Sequence, residues 1–314
     1  IVGGISIDDG KLVLALCNLD GKVAVEKIAT IDPESDAAEL SEQCLKLIRS
    51  SAKGSGLSLQ GLGAIGLAVR APLNAGYNSN NGRNRAQIYA SLKDQLSKKL
   101  STSVYLDTLV NMAALAENTI GAGQGSECTL FVRIGFAVRS ALLVDNRVIE
   151  GRNKLAGEIG HVVVPGNQAI CLCGKRGCVN ASASVPQFLS ECERLGIKLT
   201  DEFNLTNVRD SDKEHVGTLL MECGSVCGFA LAGAMNILAP DTVIISSPYS
   251  AFGSEFKDSL VESLSKYCQP EILTQCKLIT IPREAKNEAL GAAILALQNF
   301  PISELLSKKL DSDS

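Results

Sequence analysis

The order of predicted strands and helices constrains the fold most, because it occurs twice along the 314-residue chain. The first 30 residues alternate as a β-meander with a turn at Asp20-Gly21, and a helix over 35–53 and a buried strand over 62–69 follow. The second half begins with a long hairpin over 129–149 and again continues into helices and apolar strands. A meander followed by helices and strands, twice over, predicts an α/β chain of two lobes.

Two further segments allow specific structural predictions. The hairpin over 129–149 is expected to turn at Asp145-Asn146, since these residue types favour tight turns. The apolar segment 215–239 is either one long helix or a broken pair of helices.

The composition excludes several classes of protein. Hydrophobic residues make up 46% of the chain, which is enough for a large core and is not typical of a disordered chain. The net charge is −4 and tryptophan is absent, so neither a duplex-binding surface nor a stacking platform for single strands is expected. No run of 18 apolar residues occurs, and no membrane span is predicted.

The cysteines indicate a reducing compartment. Their number, eleven, is odd, whereas a secreted disulfide framework normally has an even number. Most of them lie in apolar or helical segments, where a free thiol behaves as a small core residue. We therefore expect a cytoplasmic protein.

Three cysteines and a histidine stand apart from the rest. His161, Cys171, Cys173 and Cys178 have the spacing H-x9-C-x-C-x4-C. Three thiolates and one imidazole make a closed tetrahedral set, so the spacing predicts a structural zinc site without an open position for catalysis. The alternative is three free thiols in a loop and a histidine with ordinary partners.

The same segment carries a family resemblance. GEIGHVVV followed by CLCGKRGCVN resembles the signature of the ROK family, which comprises repressors, open reading frames and kinases. ALAENTIGAGQG, MNILAPDTVIISS and EALGAAILA resemble further family segments and occur in the family's order. The family includes kinases that phosphorylate hexoses from ATP, and repressors that carry an N-terminal helix-turn-helix module.

The resemblance implies a two-lobed, actin-like (ribonuclease H-like) fold and a homodimer. One lobe would comprise residues 1–110, closed by a C-terminal helix at about 296–314. The other would comprise residues 111–295 and contain the zinc loop 157–180.

The phosphate loops of the family pattern are altered in this chain. In the first loop, D-x-G-G-T, the two glycines are replaced by Asp8 and Asp9. In the second, G-T-G-x-G-G-G, only Gly135 remains, and Phe136 and Arg139 stand at other loop positions. Carboxylates repel a polyphosphate and side chains fill a cradle made of backbone amides, so no ATP cofactor is expected.

The catalytic dyad of the pattern is altered as well. Counting back from Glu117, the Asn and Asp positions hold Thr108 and Leu109, and a leucine cannot accept a proton. A slip of one or two residues in the alignment would instead place Asp107 near the dyad. The adenosine-side glycine pair is replaced by Ser246-Ser247.

Some of the family's sugar contacts are retained. Glu158 and His161 are kept, and Asn180 replaces a Glu but can still hydrogen-bond a hydroxyl. Thr108 at the Asn position of the dyad and Asn74 in the loop after Arg70 complete the candidate ligand-binding set.

Within the family, the resemblance is strongest to the N-acetylglucosamine-repressor group, which also extends past the last family helix. We therefore expect the effector-sensing and dimerising part of a transcriptional regulator, inactive as a kinase, that responds to a sugar or sugar phosphate. Its contact with DNA would use a helix-turn-helix module that we expect to lie outside this sequence, which begins with Ile1 rather than Met. The alternatives are a hexose or N-acetylhexosamine kinase, and a pseudo-enzyme acting through protein contacts alone.

Overall fold

The structure, a computed structural model, describes residues 1–8, 10–70, 85–199, 208–249 and 253–300. The chain divides into two compact units. The first comprises Ile1–Glu117 and the segment from Glu284 onward, and the second comprises Asn118–Arg283.

The first unit is built on a five-stranded mixed sheet in the order β3-β2-β1-β4-β5. The predicted meander is confirmed as three antiparallel strands, and two later strands run parallel to the first. The strands are β1 (Val2–Asp8), β2 (Lys11–Cys17), β3 (Val23–Thr30), β4 (Ala64–Val69) and β5 (Ser103–Thr108).

Four helices belong to this unit: α1 (Ala37–Gly54), α2 (Arg85–Leu100), α3 (Leu109–Ile120) and the last helix, α9 (Ala285–Gln298). The predicted helix over 35–53 is confirmed. It begins at a capping box in which the Asp36 side chain accepts from the backbone of Ala38 and Glu39, and the Glu39 side chain accepts from Asp36 N.

Helix α9 lies against the sheet with almost no space between the two backbones. A Cβ on residue 4 would lie 1.9 Å from the carbonyl oxygen of Ala289, and one on residue 66 would lie 1.8 Å from that of Ala292. A Cβ on residue 291 would lie 1.7 Å from the carbonyl oxygen of Met112 in α3. Glycines on both sides of this interface therefore allow α9 to contact β1, β4 and α3.

This packing sets the bounds of the units. Because α9 joins the sheet of the first unit, the chain returns to that unit at Glu284, and α3 belongs to it as far as Glu117. From the sequence, the chain was predicted to pass from one lobe to the other at residues 110 and 295. The closing helix expected at about 296–314 lies mostly outside the described residues.

The second unit repeats the sheet of the first. Its order is β10-β9-β6-β7-β8. Strands β6, β7 and β8 form an antiparallel meander, and β9 and β10 run parallel to β6. The strands are β6 (Cys128–Ile134), β7 (Val138–Val144), β8 (Arg147–Val148), β9 (Thr242–Ser246) and β10 (Lys277–Ile281). The twofold pattern predicted from the sequence is thus present in both sheets.

One prediction for this sheet is corrected. The segment 129–149 is not a single hairpin: one turn at residues 135–137 joins β6 to β7, and a second at Asp145-Asn146 joins β7 to β8. Asp145 and Asn146 have φ angles of 51° and 59°, which fit a tight turn. The first turn was missed because only Gly135 among its residues favours a turn, whereas Phe136 and Ala137 do not.

The helices of the second unit are α4 (Asn180–Ala183), α5 (Val185–Arg194), α6 (Lys213–Leu238), α7 (Glu255–Tyr267) and α8 (Pro270–Gln275). Helix α6 is continuous, which resolves the open alternative for 215–239, and it packs closely on α7. A Cβ on residue 224 would lie 2.3 Å from the carbonyl oxygen of Phe256, and one on residue 228 would lie 2.6 Å from that of Leu260.

By length and composition alone, the segment Asp210–Leu238 could cross a membrane. However, 56% of its apolar window is buried within the protein, and the core helix of a globular domain passes the same test.

The glycine contacts of α9 can be tested by adding a single methyl group. We expect Gly66→Ala to lower the free energy of unfolding by about 2 kcal/mol or more, because the methyl group must displace the backbone of α9. Gly61→Ala is the matched control, since a Cβ there meets no atom within 4 Å. Urea unfolding followed by circular dichroism measures both variants, and equal midpoints would contradict the packing argument.

Candidate metal centre and ligand site

The site of the second unit rests on a close contact between strand β7 and the segment 157–161. Gly157 has a φ of +89°, and a Cβ on it would lie 1.9 Å from the carbonyl oxygen of Ser140. A Cβ on residue 160 would lie 2.1 Å from the carbonyl oxygen of Val138. Ser140 N also donates to the carbonyl oxygen of Gly157 at 2.8 Å. Both glycines are therefore required, and together they fix Glu158 and His161 beside β7.

His161 opens the candidate metal centre. The ligand atoms of His161, Cys171, Cys173 and Cys178 all lie within 4.8 Å of one another. His161 Nδ1 lies 3.8 Å from Cys171 Sγ, and Cys173 Sγ lies 3.7 Å from Cys178 Sγ. Bond lengths of about 2.1–2.3 Å around a tetrahedral zinc ion place neighbouring ligand atoms about 3.5–3.8 Å apart. These two separations fit such an ion.

The backbone of the cysteine loop is ordered by its own hydrogen bonds. Cys171 N donates to Lys175 O at 2.8 Å, and Gly174 N donates to Cys171 O at 2.9 Å. Short β-bridges pair Val163 with Cys178 and Ile170 with Arg176. These contacts bring thiols that are separated in sequence to one point.

The environments of two of these thiols differ. Burial raises the pKa of Cys178 to about 12, whereas a backbone hydrogen bond from Lys175 lowers the pKa of the exposed Cys173. A divalent cation binds the thiolate form, so binding would release the Cys178 proton. All four residues predicted as metal ligands are thus brought together, and with four protein ligands the centre has no open position.

Glu158 lies beside this centre and uses its two oxygens differently. Oε1 forms a short ion pair with a guanidinium nitrogen of Arg139, and Oε2 lies 3.6 Å from His161 Nε2. His161 therefore directs one ring nitrogen to the cysteines and the other to Glu158. The predicted sugar contacts Glu158 and His161 are therefore adjacent. Arg139, which the sequence did not predict as a partner, pairs with Glu158.

Asn180, the third predicted contact in this unit, has a structural role. Its Oδ1 accepts a hydrogen bond from Val138 N at 2.6 Å and so holds the start of β7. Ser247 is one of the two serines that stand where the family pattern has the adenosine-side glycines. It is fully buried, and its hydroxyl accepts a hydrogen bond from Tyr249 N at 3.0 Å.

In the first unit, the predicted dyad positions form the start of α3. Thr108 Oγ1 accepts from Asn111 N at 3.2 Å, which is the geometry of a helix N-cap. Leu109 is buried, with 4% of its surface exposed. Asp107 is buried as well, and its Oδ1 accepts from Thr108 N at 2.6 Å and from Asn111 Nδ2 at 2.8 Å.

The end of β1, where the family pattern has its first phosphate loop, carries an ion pair. Arg70 donates from Nε and Nη2 to Asp8 Oδ1 at 2.9 Å and 2.6 Å. The sequence showed Asp8 as a departure from the family pattern but not that it meets Arg70. Their opposite charges were the signal that could have suggested it. Asp9 and Asn74 lie outside the described residues.

The two sheets of equal strand order and their helices define the actin-like ATPase fold. Within that class the chain belongs to the ROK family, whose family model matches residues 2–299.

The relatives include a repressor and a kinase. The xylose repressor of Caldicellulosiruptor bescii is 25% identical over 84% of this chain and 69% of its own length. A glucokinase of Halalkalibacterium halodurans is 28% identical over 58% of this chain and 59% of its own length. The ROK hexokinase from Thermus thermophilus has the same fold, with a TM-score of 0.79 and 21% identity over 96% of this chain and 99% of its own.

The metal centre can be tested at its most exposed ligand. We expect the purified protein to contain about one zinc ion per chain and Cys173→Ser to lose most of it, because three ligands remain for a site that needs four. Cys276→Ser is the control, since that partly exposed thiol lies outside the cluster. Metal analysis by plasma mass spectrometry measures all three proteins, and full zinc retention in Cys173→Ser would argue against the site.

Proposed function

We propose that this chain is the ligand-sensing part of a ROK transcriptional regulator and that it does not phosphorylate sugars. The observation that carries the proposal is the start of α3. At the position that the family pattern assigns to the catalytic carboxylate stands Leu109, a buried side chain without a proton acceptor. The neighbouring Thr108 hydroxyl is used to cap the helix.

The phosphate loops support the same proposal. Backbone amides bind a phosphate only when no side chain intervenes, and the family pattern has glycines there for that reason. Asp8 instead brings a carboxylate, which Arg70 neutralises. Arg139 in the second loop is paired with Glu158. Both loops therefore contain charges that are already paired within the protein.

A ligand-sensing role is supported by the retained Glu158 and His161. A carboxylate and an imidazole side by side suit vicinal hydroxyls of a monosaccharide. The matching xylose repressor makes regulation by a sugar a reasonable model for this chain. A structural zinc ion at the cysteine loop, a homodimer, binding to DNA and a cytoplasmic location are parts of this proposal. None of the eleven cysteines, all of them described residues, forms a disulfide, which supports the location.

The second candidate function is a sugar kinase, which the glucokinase relative favours. In that case Asp107 would act as the base. Its burial and its two accepted hydrogen bonds argue against this role, because they hold the carboxylate in the core.

A coupled assay decides between the two functions. We expect no sugar phosphate above the protein-free control with ATP-Mg and glucose, xylose or N-acetylglucosamine, because a missing base alone costs about 100-fold or more in rate. Calorimetry on the same protein measures binding of a sugar, a sugar phosphate or a sugar acid without turnover.

Asp107→Asn is the diagnostic variant. Turnover that this variant abolishes would establish the kinase and overturn the regulator. If the protein neither turns over nor binds any member of a panel of sugars, sugar phosphates and sugar acids, it would act through protein contacts alone.

A further inference from the structure

Arg139 forms an ion pair with Glu158, one of the predicted sugar contacts of the second unit. Arg139 lies between Val138 and Ser140, whose backbones are held by Asn180 and Gly157. Val138 and Ser140 are buried, whereas alternation along the strand directs Arg139 to the other face, where 26% of its side chain is exposed. The fixed backbone of β7 therefore keeps the guanidinium beside Glu158.

A ligand hydroxyl that takes the place of Arg139 at Glu158 Oε1 opens this pair. Glu158 Oε1 is occupied by Arg139, and Oε2 faces His161 Nε2 at 3.6 Å. The Glu158 side chain is 30% exposed, so a ligand can reach it. A neutral sugar could satisfy the carboxylate but would leave a partly buried guanidinium without its counter-charge, which is costly.

A ligand with its own anionic group avoids that cost. Its phosphate or carboxylate can pair with the Arg139 guanidinium in a bidentate manner, while a neighbouring hydroxyl donates to Glu158. We propose that Arg139 is a specificity-determining residue that makes this site select an anionic carbohydrate, a sugar phosphate or a sugar acid, over a neutral sugar. This inference rests on the proposed ligand-sensing function and names its ligand class.

The contact also constrains where the anionic group lies. Because Arg139 and Glu158 touch, the anion and the hydroxyl that replace their contact must be close together on the ligand. A phosphate or carboxylate on the same carbon as the bound hydroxyl, or next to it along the ring, satisfies both partners.

Calorimetry with the full chain tests the selection, using glucose, glucose 1-phosphate, glucose 6-phosphate, glucuronate and inorganic phosphate as probes. We expect at least one of the charged sugars to bind about 10-fold or more tightly than glucose, as a charge-assisted hydrogen bond predicts. In Arg139→Gln this ratio should fall to about one, and Arg139→Lys should keep an intermediate preference. Arg147→Gln, on the exposed strand β8, is the matched control and should leave the ratio unchanged.

The outcomes separate this inference from the proposed function. Equal binding of glucose and the charged sugars, or a preference that survives Arg139→Gln, would overturn the inference and leave ligand sensing intact. Inorganic phosphate binding as tightly as the sugar phosphates would show an anion site without recognition of a carbohydrate and overturn it too. If a folded protein that contains its zinc binds none of the probes, both the inference and the proposed function would be overturned.

Discussion

The contact between strand β7 and the segment 157–161 determines the geometry of the second unit's site. The two backbones approach so closely that neither residue 157 nor residue 160 can carry a side chain. Between these glycines lies Glu158, and directly after them lies His161, the first of the metal-binding candidates. A shift of β7 by a fraction of an ångström would therefore move Arg139, Glu158 and the cysteine loop relative to one another. Catalytic or sensing groups need this kind of rigid support, since a loosely held site loses its specificity.

The two units show the same kind of change at the same place in the fold. In each, the first hairpin of the sheet carries a charged residue where the family pattern has glycine: Asp8 at the end of β1 and Arg139 in β7. Each charge is paired, with Arg70 and with Glu158. A partly buried charge without a partner destabilises a protein, whereas a pair is tolerated. The exchange of glycine for a charge is thus stable only together with its partner.

Much of the fold followed from the sequence, because hydrophobic periodicity and turn residues are local signals. The meander, the helix over 35–53 and the repeated order were predicted correctly. The turn at 135–137 was missed because Phe136 and Ala137 are not turn residues, while the later Asp145-Asn146 gave the strong signal. Sequence also brought the four metal-binding candidates together, since their spacing is short. The ion pair of Asp8 and Arg70 joins residues 62 positions apart, and no local pattern reports such a contact. Thr108 and Asn180 each accept a hydrogen bond from a backbone N–H, which the sequence did not predict. Short polar side chains that suit a sugar also suit the backbone, so residue type alone does not distinguish the two partners.

The histidine links the metal centre to the ligand site. Its Nδ1 faces Cys171 and its Nε2 faces Glu158, so a metal held by the first nitrogen leaves the second as the only ring nitrogen on the ligand side. A metal bound at Nδ1 would fix the tautomer, with the proton on Nε2, where it could be donated to an oxygen of Glu158 or of a ligand. A metal bound by all four candidates would therefore have no open position and would still set the direction of a hydrogen bond in the neighbouring site. This dependence gives a physical reason for the chain to keep all four metal-binding candidates even if, as proposed, it does not phosphorylate sugars.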